Sequence, residues 1–536
     1  MKPSDHSPSG SRPHAAPGGE SLRPADPGAP LPPDVRLSAR WAWGLILAFL
    51  VMITLPGVLR ELSADPVRGA MAAVFQPGAE TVAKRLRGVE KQVDDGAWTQ
   101  PVRERMQTAL ERVFGAGNRK VLVGRDGWLF HRPGVQALTG RGPVLGPTHS
   151  VAKDPALKQW EGPIPVIRDF AAQLKERGIR LVLVPVPDKA AVHSRLLKGA
   201  PASAGPARRR HPDGPALAEA LRGHADVVDL GMELPYLPDD THWEASGART
   251  AAAAVAAIVH PASSRSPDPV SAVEVAGTGD LVTSLGLVAA AARARQTTVR
   301  VLSTSPLQSD PTSPVVLLGD SNVNMYDDPG LPFHHPGAGF GSWLSASLGG
   351  PLHVLAINGG GATQVRQRFA ALPDDVVRAK KTVIWVLAER DLFMDPPVAQ
   401  ANGVEWKRVA FNPRASAPAG PAASAGALVI EATLRATSEV LDMASVNYPD
   451  AVFTAEFTVD RVVSGAYAEK ELSVVLWNFR GRIVQPTARL TAGRKVRLTL
   501  VPWLDQGDLT KINLSDDFQR FDLPLLYAEK AEVLGE

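Results

Sequence analysis

PVVLLGDS, Pro314–Ser321, is an unbroken apolar run that ends abruptly in Gly-Asp-Ser. Val315 to Leu318 show no polar alternation, which fits a strand buried on both faces rather than one with a face in water. RLVLVPVP (Arg180–Pro187), HVLAINGG (His353–Gly360) and TVIWVLAER (Thr382–Arg390) share that texture, and ADVVDL (Ala225–Leu230) is a shorter example. Helical patterns intervene, one ending at Gly178 and one in the Ala-rich ARTAAAAVAAIV (Ala248–Val259). Apolar strands separated by helices predict an α/β domain with a parallel sheet covered on both sides. Ligands of such sheets bind beyond the carboxyl ends of the strands, where Ser321 falls.

Working outward, the α/β pattern predicts one domain over 116–411. NPRASAPAGPAASAG (Asn412–Gly426) has the composition of a linker. Residues 427–536 then alternate as short β segments, such as VFTAEFTVDRVV and RKVRLTLVPW, and predict a small, separately folded all-β barrel or sandwich. In the other direction, residues 61–115 read as a helical juxtamembrane segment, with Met106, Leu110, Val113 and Phe114 at helical spacing. Trp41–Leu59 contains no charge. A bilayer core of ~30 Å takes about 20 apolar helical residues, so 40–60 is expected to be a transmembrane anchor. Arg36 and Arg40 precede it and Arg60 and Arg68 follow it, a weak charge bias. The expected arrangement is an uncleaved single-pass anchor in the inner or plasma membrane, with the bulk of the chain outside the cytoplasm. Residues 1–39, rich in Pro, Gly, Ser and Ala, read as a disordered tail.

Composition excludes several functions. Lys and Arg total 58 against 55 Asp and Glu, which argues against a nucleic-acid-coating protein. With no cysteine in 536 residues there is no thiol nucleophile, disulfide or Cys-ligated metal. Neither a Walker-type loop nor a post-strand GxGxxG is present, so no nucleotide cofactor is implied.

Two segments carry candidate chemistry. At Gly319-Asp320-Ser321 a strand breaks so that a hydroxyl and backbone N–H groups face outward, although a serine there also suits helix capping. Asp240-Thr241-His242-Trp243 stands just before the Ala-rich helix. Thr241 and Glu244 fit a capping box, which would leave His242 incidental. In an extended turn, however, residues two apart point the same way, so Asp240 can fix the tautomer of His242 and leave its other nitrogen to accept a serine proton. A helix N-terminus favours the neutral imidazole that such a base needs. Together the segments supply a Ser–His–Asp set.

A strand followed by GDS resembles the nucleophile block of SGNH hydrolases. In most of those the Asp–His block follows the serine, whereas here Asp240 precedes Ser321 by 81 positions. That order resembles the permuted SGNH-like domain of the alginate O-acetyltransferase family, periplasmic proteins that acetylate exopolysaccharides. VGRDGWLFHRPGVQALTG (Val123–Gly140), VPVPDKAAVHS (Val184–Ser194), GDLVTSLGL (Gly279–Leu287) and IWVLAERDL (Ile384–Leu392) are similar to further blocks of that family. Asn322-Val323-Asn324 departs from it, since an aromatic residue often follows the serine there, and the chain beyond residue 411 lies outside the match.

The resemblance implies that Ser321 is the nucleophile, His242 the general base and Asp240 its orienter. The oxyanion would be held by the Ser321 amide and a glycine amide of the Asn358–Gly361 turn, Gly360 or Gly361, unless that turn merely needs positive φ. Arg390 would bind substrate or form an ion pair with Glu389 or Asp391. Trp128 and Trp243, and Trp477 and Trp503 in the β domain, are candidate sugar platforms or core residues, and His334-His335 is a poor metal pair. The implied activity is O-acetylation of a polysaccharide acceptor through an acetyl-serine, with no metal or organic cofactor and with acetyl groups supplied by a membrane-bound O-acyltransferase. A carbohydrate acetylesterase with the same triad and a non-catalytic glycan-binding scaffold are the rival readings.

Overall fold

The computed structural model describes residues 38–62, 99–140, 142, 161–199, 210–261, 267–411 and 428–534, apart from a few positions in the loops beyond residue 438. The chain divides into two units, Met1–Gly96 and Ala97–Glu536. In the first, Ala39–Leu62 is one helix, which carries the uncharged stretch. Its side chains at Trp41, Trp43, Leu45, Leu47 and Phe49 are exposed. Among the described residues, no helix is long and apolar enough to cross a membrane. The expected tail, most of the juxtamembrane segment and the linker lie outside the described residues.

The second unit opens with the helix Thr99–Phe114, where Met106, Val113 and Phe114 are exposed and Thr108 Oγ accepts the Val288 N–H at 3.0 Å. Among the described residues, nine strands follow before residue 411. β1 (Val121–Val123) and β2 (Leu129–His131) form a hairpin. β3 (Arg180–Val186) and β4 (Asp226–Val227) pair in parallel, and β5 (Ser271–Gly277) and β6 (Thr297–Ser303) form an antiparallel ribbon. β7 (Val315–Gly319), β8 (His353–Ala356) and β9 (Thr382–Ala388) complete a five-stranded sheet of order β4-β3-β9-β7-β8, parallel throughout.

The apolar texture of these strands has a simple cause, because both faces are covered. Leu181, Leu183, Val316 and Leu318 pack with Ile167, Phe170 and Phe369 of the helices Pro163–Glu176 and Gln364–Ala370. The intervening Val182, Val184, Leu317 and Ile384 pack with Val255, Trp343 and Leu344 of Ala245–Val259 and Phe340–Leu348. Each large apolar side chain so buried contributes roughly 1.5–3 kcal/mol.

The C-terminal part is a closed barrel. β10 (Leu428–Thr437), β11 (Ala451–Ser464) and β12 (Glu471–Arg480) run as a meander. β13 (Ile483–Val484) extends the edge of β12, and β14 (Lys495–Pro502) pairs with β10. β15 (Asn513–Ser515) adds to β11, and β16 (Leu525–Val533) closes the ring between β12 and β14. Phe453, Ala455 and Phe457 alternate into its core, as their spacing predicts.

The barrel has a hydrophobic core of its own and also docks on the α/β domain. The barrel and the α/β domain form one compact unit. The Asn358 N–H donates to Lys511 O at 3.0 Å, and the Leu514 N–H donates to Gln364 Oε1 at 3.2 Å. A chain with linker-like composition thus joins parts that dock by satisfying each other's backbone groups.

Candidate active site

The break after β7 follows from three residues. Gly319 is required by close approach, because a Cβ there would lie 2.3 Å from Val323 Cγ2. Asp320 caps the four-residue helix Ser321–Asn324, accepting from the Asn322 N–H and Nδ2, each at 2.8 Å. Its second oxygen accepts the Ala388 N–H at 3.1 Å and so ties the end of β7 to that of β9. Ser321 stands half-buried at the first position of this helix, beyond the carboxyl edge of the sheet.

Asp240 and His242 are both buried. Asp240 Oδ1 takes the His242 N–H at 2.9 Å and its Nδ1 at 2.6 Å, while Oδ2 takes the Asp280 N–H at 2.8 Å. The side chain of Asp240 thus fixes both the ring and the turn that carries it. The capping-box alternative fails: Glu244 itself is the N-cap, and Thr241 Oγ donates to Asp280 Oδ2 at 2.5 Å. Tyr326 OH, five residues past Ser321, donates to Trp243 O at 2.9 Å, which brings the two sequence segments together. His242 Nε2 is buried without a hydrogen-bond partner. The Ser321–His242 hydrogen bond expected from the sequence is therefore not formed in this state, and such bonds often tighten only around substrate.

Burial pushes the His242 imidazolium down, but the charges of Asp240, Asp280 and Asp320 win and raise its pKa above the ordinary value. The direction is opposite to the one a helix N-terminus alone would impose. Burial likewise pushes Asp240 up, and His242 with the Asp280 and His242 amides holds it below the usual carboxylate range.

Two neighbours escaped the reading of the sequence. Asp280 opens the short helix Asp280–Leu285 and braces the turn through Thr241 and Asp240, with burial raising its carboxyl to about 6. Lys189 is 3% exposed, and its ammonium donates to Pro238 O at 2.8 Å and Asp240 O at 2.9 Å. Burial pulls Lys189 down to about 7. The Pro-Asp-Lys that follows β3 was the visible signal, since a lysine at the edge of a buried strand needs an internal partner.

The other candidates sort unevenly. The Gly360 N–H is used within its own turn, donating to Ile357 O at 2.9 Å, which removes it as an oxyanion donor. Gly361 lies against the residue before the nucleophile, since a Cβ there would sit 3.0 Å from Asp320 Oδ2. Of the three glycines, Gly359 is the one at positive φ, +75°. Arg390 pairs with Asp188 at 3.5 Å and Asp391 at 3.8 Å rather than with Glu389. Trp243 and Trp503 are core residues, Trp477 donates to Tyr527 OH at 2.8 Å, and half-buried Trp128 packs on His193 and Lys189. His334 is exposed. Among the described residues, the group with metal-like proximity is Asp240, His242 and Asp280, whose ligand atoms lie within 4.8 Å of one another. His242 Nδ1 there is already engaged by Asp240. A polar cleft of about 330 Å³ runs from Gly359 and Gly360 past Asp391 and Glu405 to Ser515 of the barrel.

Residues 121–389 match the family model described as ALGX: SGNH hydrolase-like domain, acetyltransferase AlgX. The chain is 27% identical over 311 residues to the probable alginate O-acetylase AlgJ of Pseudomonas putida, covering 53% of this chain and 73% of that protein. Among solved structures, it is similar to the O-acetyltransferase domain of Pseudomonas putida AlgJ, with 25% identity, 52% of this chain and 97% of that chain covered, and a TM-score of 0.35. For Pseudomonas aeruginosa AlgX the corresponding values are 16%, 68%, 84% and 0.36.

Proposed function

Because this chain belongs to the AlgX family of SGNH hydrolase-like acetyltransferase domains, we propose that it transfers acetyl groups to hydroxyls of a polysaccharide through Ser321, His242 and Asp240. The observation that carries the reading is the Asp240–His242 pair at 2.6 Å, with the other ring nitrogen buried and unpartnered and the next residue, Trp243, bonded through its carbonyl to Tyr326 of the segment after Ser321. A buried polar atom left unsatisfied costs free energy, and its persistence suits a nitrogen kept for a transferred proton.

In the proposed cycle, Ser321 Oγ attacks the carbonyl carbon of an acetyl ester while His242 Nε2 takes its proton. The ester C–O bond then breaks, the leaving oxygen receives that proton, and acetyl-Ser321 remains. An acceptor hydroxyl next gives its proton to His242 and attacks the same carbon. Ser321 leaves with the proton, and the acetylated glycan departs. The N–H groups of Ser321 and Gly361 are the proposed oxyanion donors. Asp240 keeps Nδ1 protonated and stabilises the imidazolium that forms between the steps.

From its sequence, the uncharged run Trp41–Leu59 is proposed to tether this unit to a membrane on the side away from the cytoplasm. A multispanning O-acyltransferase would then supply the acetyl group, since cytoplasmic donors are out of reach. Protease added from the extracytoplasmic side, to cells stripped of any outer membrane, should digest residues 97–536; their full protection would place the unit elsewhere.

Incubation with an acetyl ester should leave acetyl on the peptide containing Ser321 and none in Ser321→Ala. Transfer to glycan supports the transferase; free acetate as sole product would make it an esterase; no acetyl-Ser321 would leave a scaffold.

A further inference from the structure

Among the places where the C-terminal part touches the α/β domain is the turn that follows β8; another is Lys120, whose ammonium donates to Met443 O at 3.1 Å. Asn358 opens this turn and makes three hydrogen bonds, one to the barrel and two to the segment that follows Ser321. Its backbone N–H donates to Lys511 O, at the end of the one-turn helix Gly507–Lys511 between β14 and β16. Its Oδ1 accepts from Asn324 Nδ2 at 2.8 Å, and its Nδ2 donates to Asp328 Oδ2 at 3.1 Å. The orientation of the amide follows from chemistry, because an ionised carboxylate only accepts and so must face Nδ2. Asn324 is the last residue of the helix that Ser321 begins. Three residues on, Gly361 packs against Asp320. The same seam is fastened twice more: Gln364 Oε1 takes the Leu514 N–H, and the Arg368 guanidinium donates to Thr510 O.

We infer that Asn358 is a positioning residue through which the C-terminal barrel holds the glycine turn in register with Ser321, so that the barrel is part of the acetyl-transfer apparatus rather than only a holder of acceptor. The physical reason is connectivity. The nucleophile's helix, the turn and the barrel meet in one side chain and its own backbone amide. A displacement of about 1 Å at a reacting centre can cost as much as a hundredfold in rate. The inference rests on the proposed role of Ser321.

The test uses the full chain and 4-nitrophenyl acetate, an ester with no glycan to occupy an acceptor site. Asn358→Asp sets two carboxylates against each other and should lower kcat about tenfold to a hundredfold, with KM within about twofold of wild type. Adding Asp328→Asn restores every hydrogen bond with the partners exchanged, and kcat should return to within about threefold of wild type. Arg368→Met, which loosens the seam away from the turn, should lower kcat by about threefold to tenfold with KM unchanged.

Wild-type kcat in both Asn358→Asp and Arg368→Met, with only glycan transfer reduced, would overturn the inference. A folded double variant that stays as slow as Asn358→Asp would also overturn it, and this comparison stands even if the single variant fails to fold. Ser321→Ala separates the two levels of argument. If it retains ester turnover, the role of Ser321 falls. If it is inactive while the seam variants turn over normally, only the coupling falls.

Discussion

Asp240 spends one oxygen on the imidazole and the other on the Asp280 amide, so its replacement has a signature beyond loss of rate. His242 must be neutral to accept a proton, and its pKa lies above the ordinary value. In wild type, kcat/KM should therefore rise with pH through a value above about 6.5. In Asp240→Asn the burial term remains while the largest opposing charge is gone. The acid limb should move to lower pH as the rate falls by about 10⁴, the scale known for the corresponding change in a serine protease triad. An unmoved limb in a pH–rate profile would show that Asp240 does not act through His242. The pair also stabilises the fold within a window. The raised His242 contributes fully below about pH 6.5 and fades as pH rises through its folded value, whereas the depressed Asp240 contributes above about pH 3.9 and fades as pH falls through its own. Ser321, His242 and Asp240 were legible because each sits at a break in a strong pattern. The roles of Asp280 and Lys189 were not, because their partners are main-chain or hydroxyl groups from segments remote in sequence, although the lysine's place at the end of a buried strand did signal that it needs a partner.

The strand–turn–helix element around Ser321 shows why its neighbours are small. A methyl at Gly319 would meet Val323 in the next turn. Gly319→Ala should lower stability by about 1–3 kcal/mol, read from denaturant melts, because a well-packed core accommodates an added methyl poorly. Unchanged stability would mean that the turn relaxes freely and Ser321 is less fixed than described. The elements themselves were plain in the sequence, since Leu181 and Val182 alternate between two covered faces and so leave no polar residue in β3 after Arg180. The hydrogen-bonding duty of Gly360 was invisible, because a Gly-Gly-Gly run announces a tight turn without saying which amide closes it.

For the whole molecule, the sequence marked a boundary at the Pro/Ala/Gly stretch and an all-β part after it, but not the docking of that part. Backbone carbonyls such as Lys511 O carry no sequence signal. A module merely tethered by a linker would matter only for a long acceptor. Deletion of residues 412–536 is instead expected to lower hydrolysis of a small acetyl ester by at least about tenfold as well as transfer to glycan. Wild-type hydrolysis of the small ester by the shortened chain would restore the modular picture.

The order β4-β3-β9-β7-β8 has a consequence for how the chain comes to be folded. β9 is the last of these strands to be synthesised, yet it lies in the middle and joins two pairs that do not otherwise touch. Until Thr382–Ala388 arrives, β3 with β4 and β7 with β8 are half-sheets with a bare edge each. A chain released at Lys381 should therefore be degraded rapidly in pulse proteolysis, and native-like resistance there would refute the idea. Contacts of such long sequence separation make for late, slow closure and a prolonged interval of aggregation risk. On the proposed function, the same delay would keep the chain threadable during export, and no chemistry at Ser321 could begin before the last strand is in place.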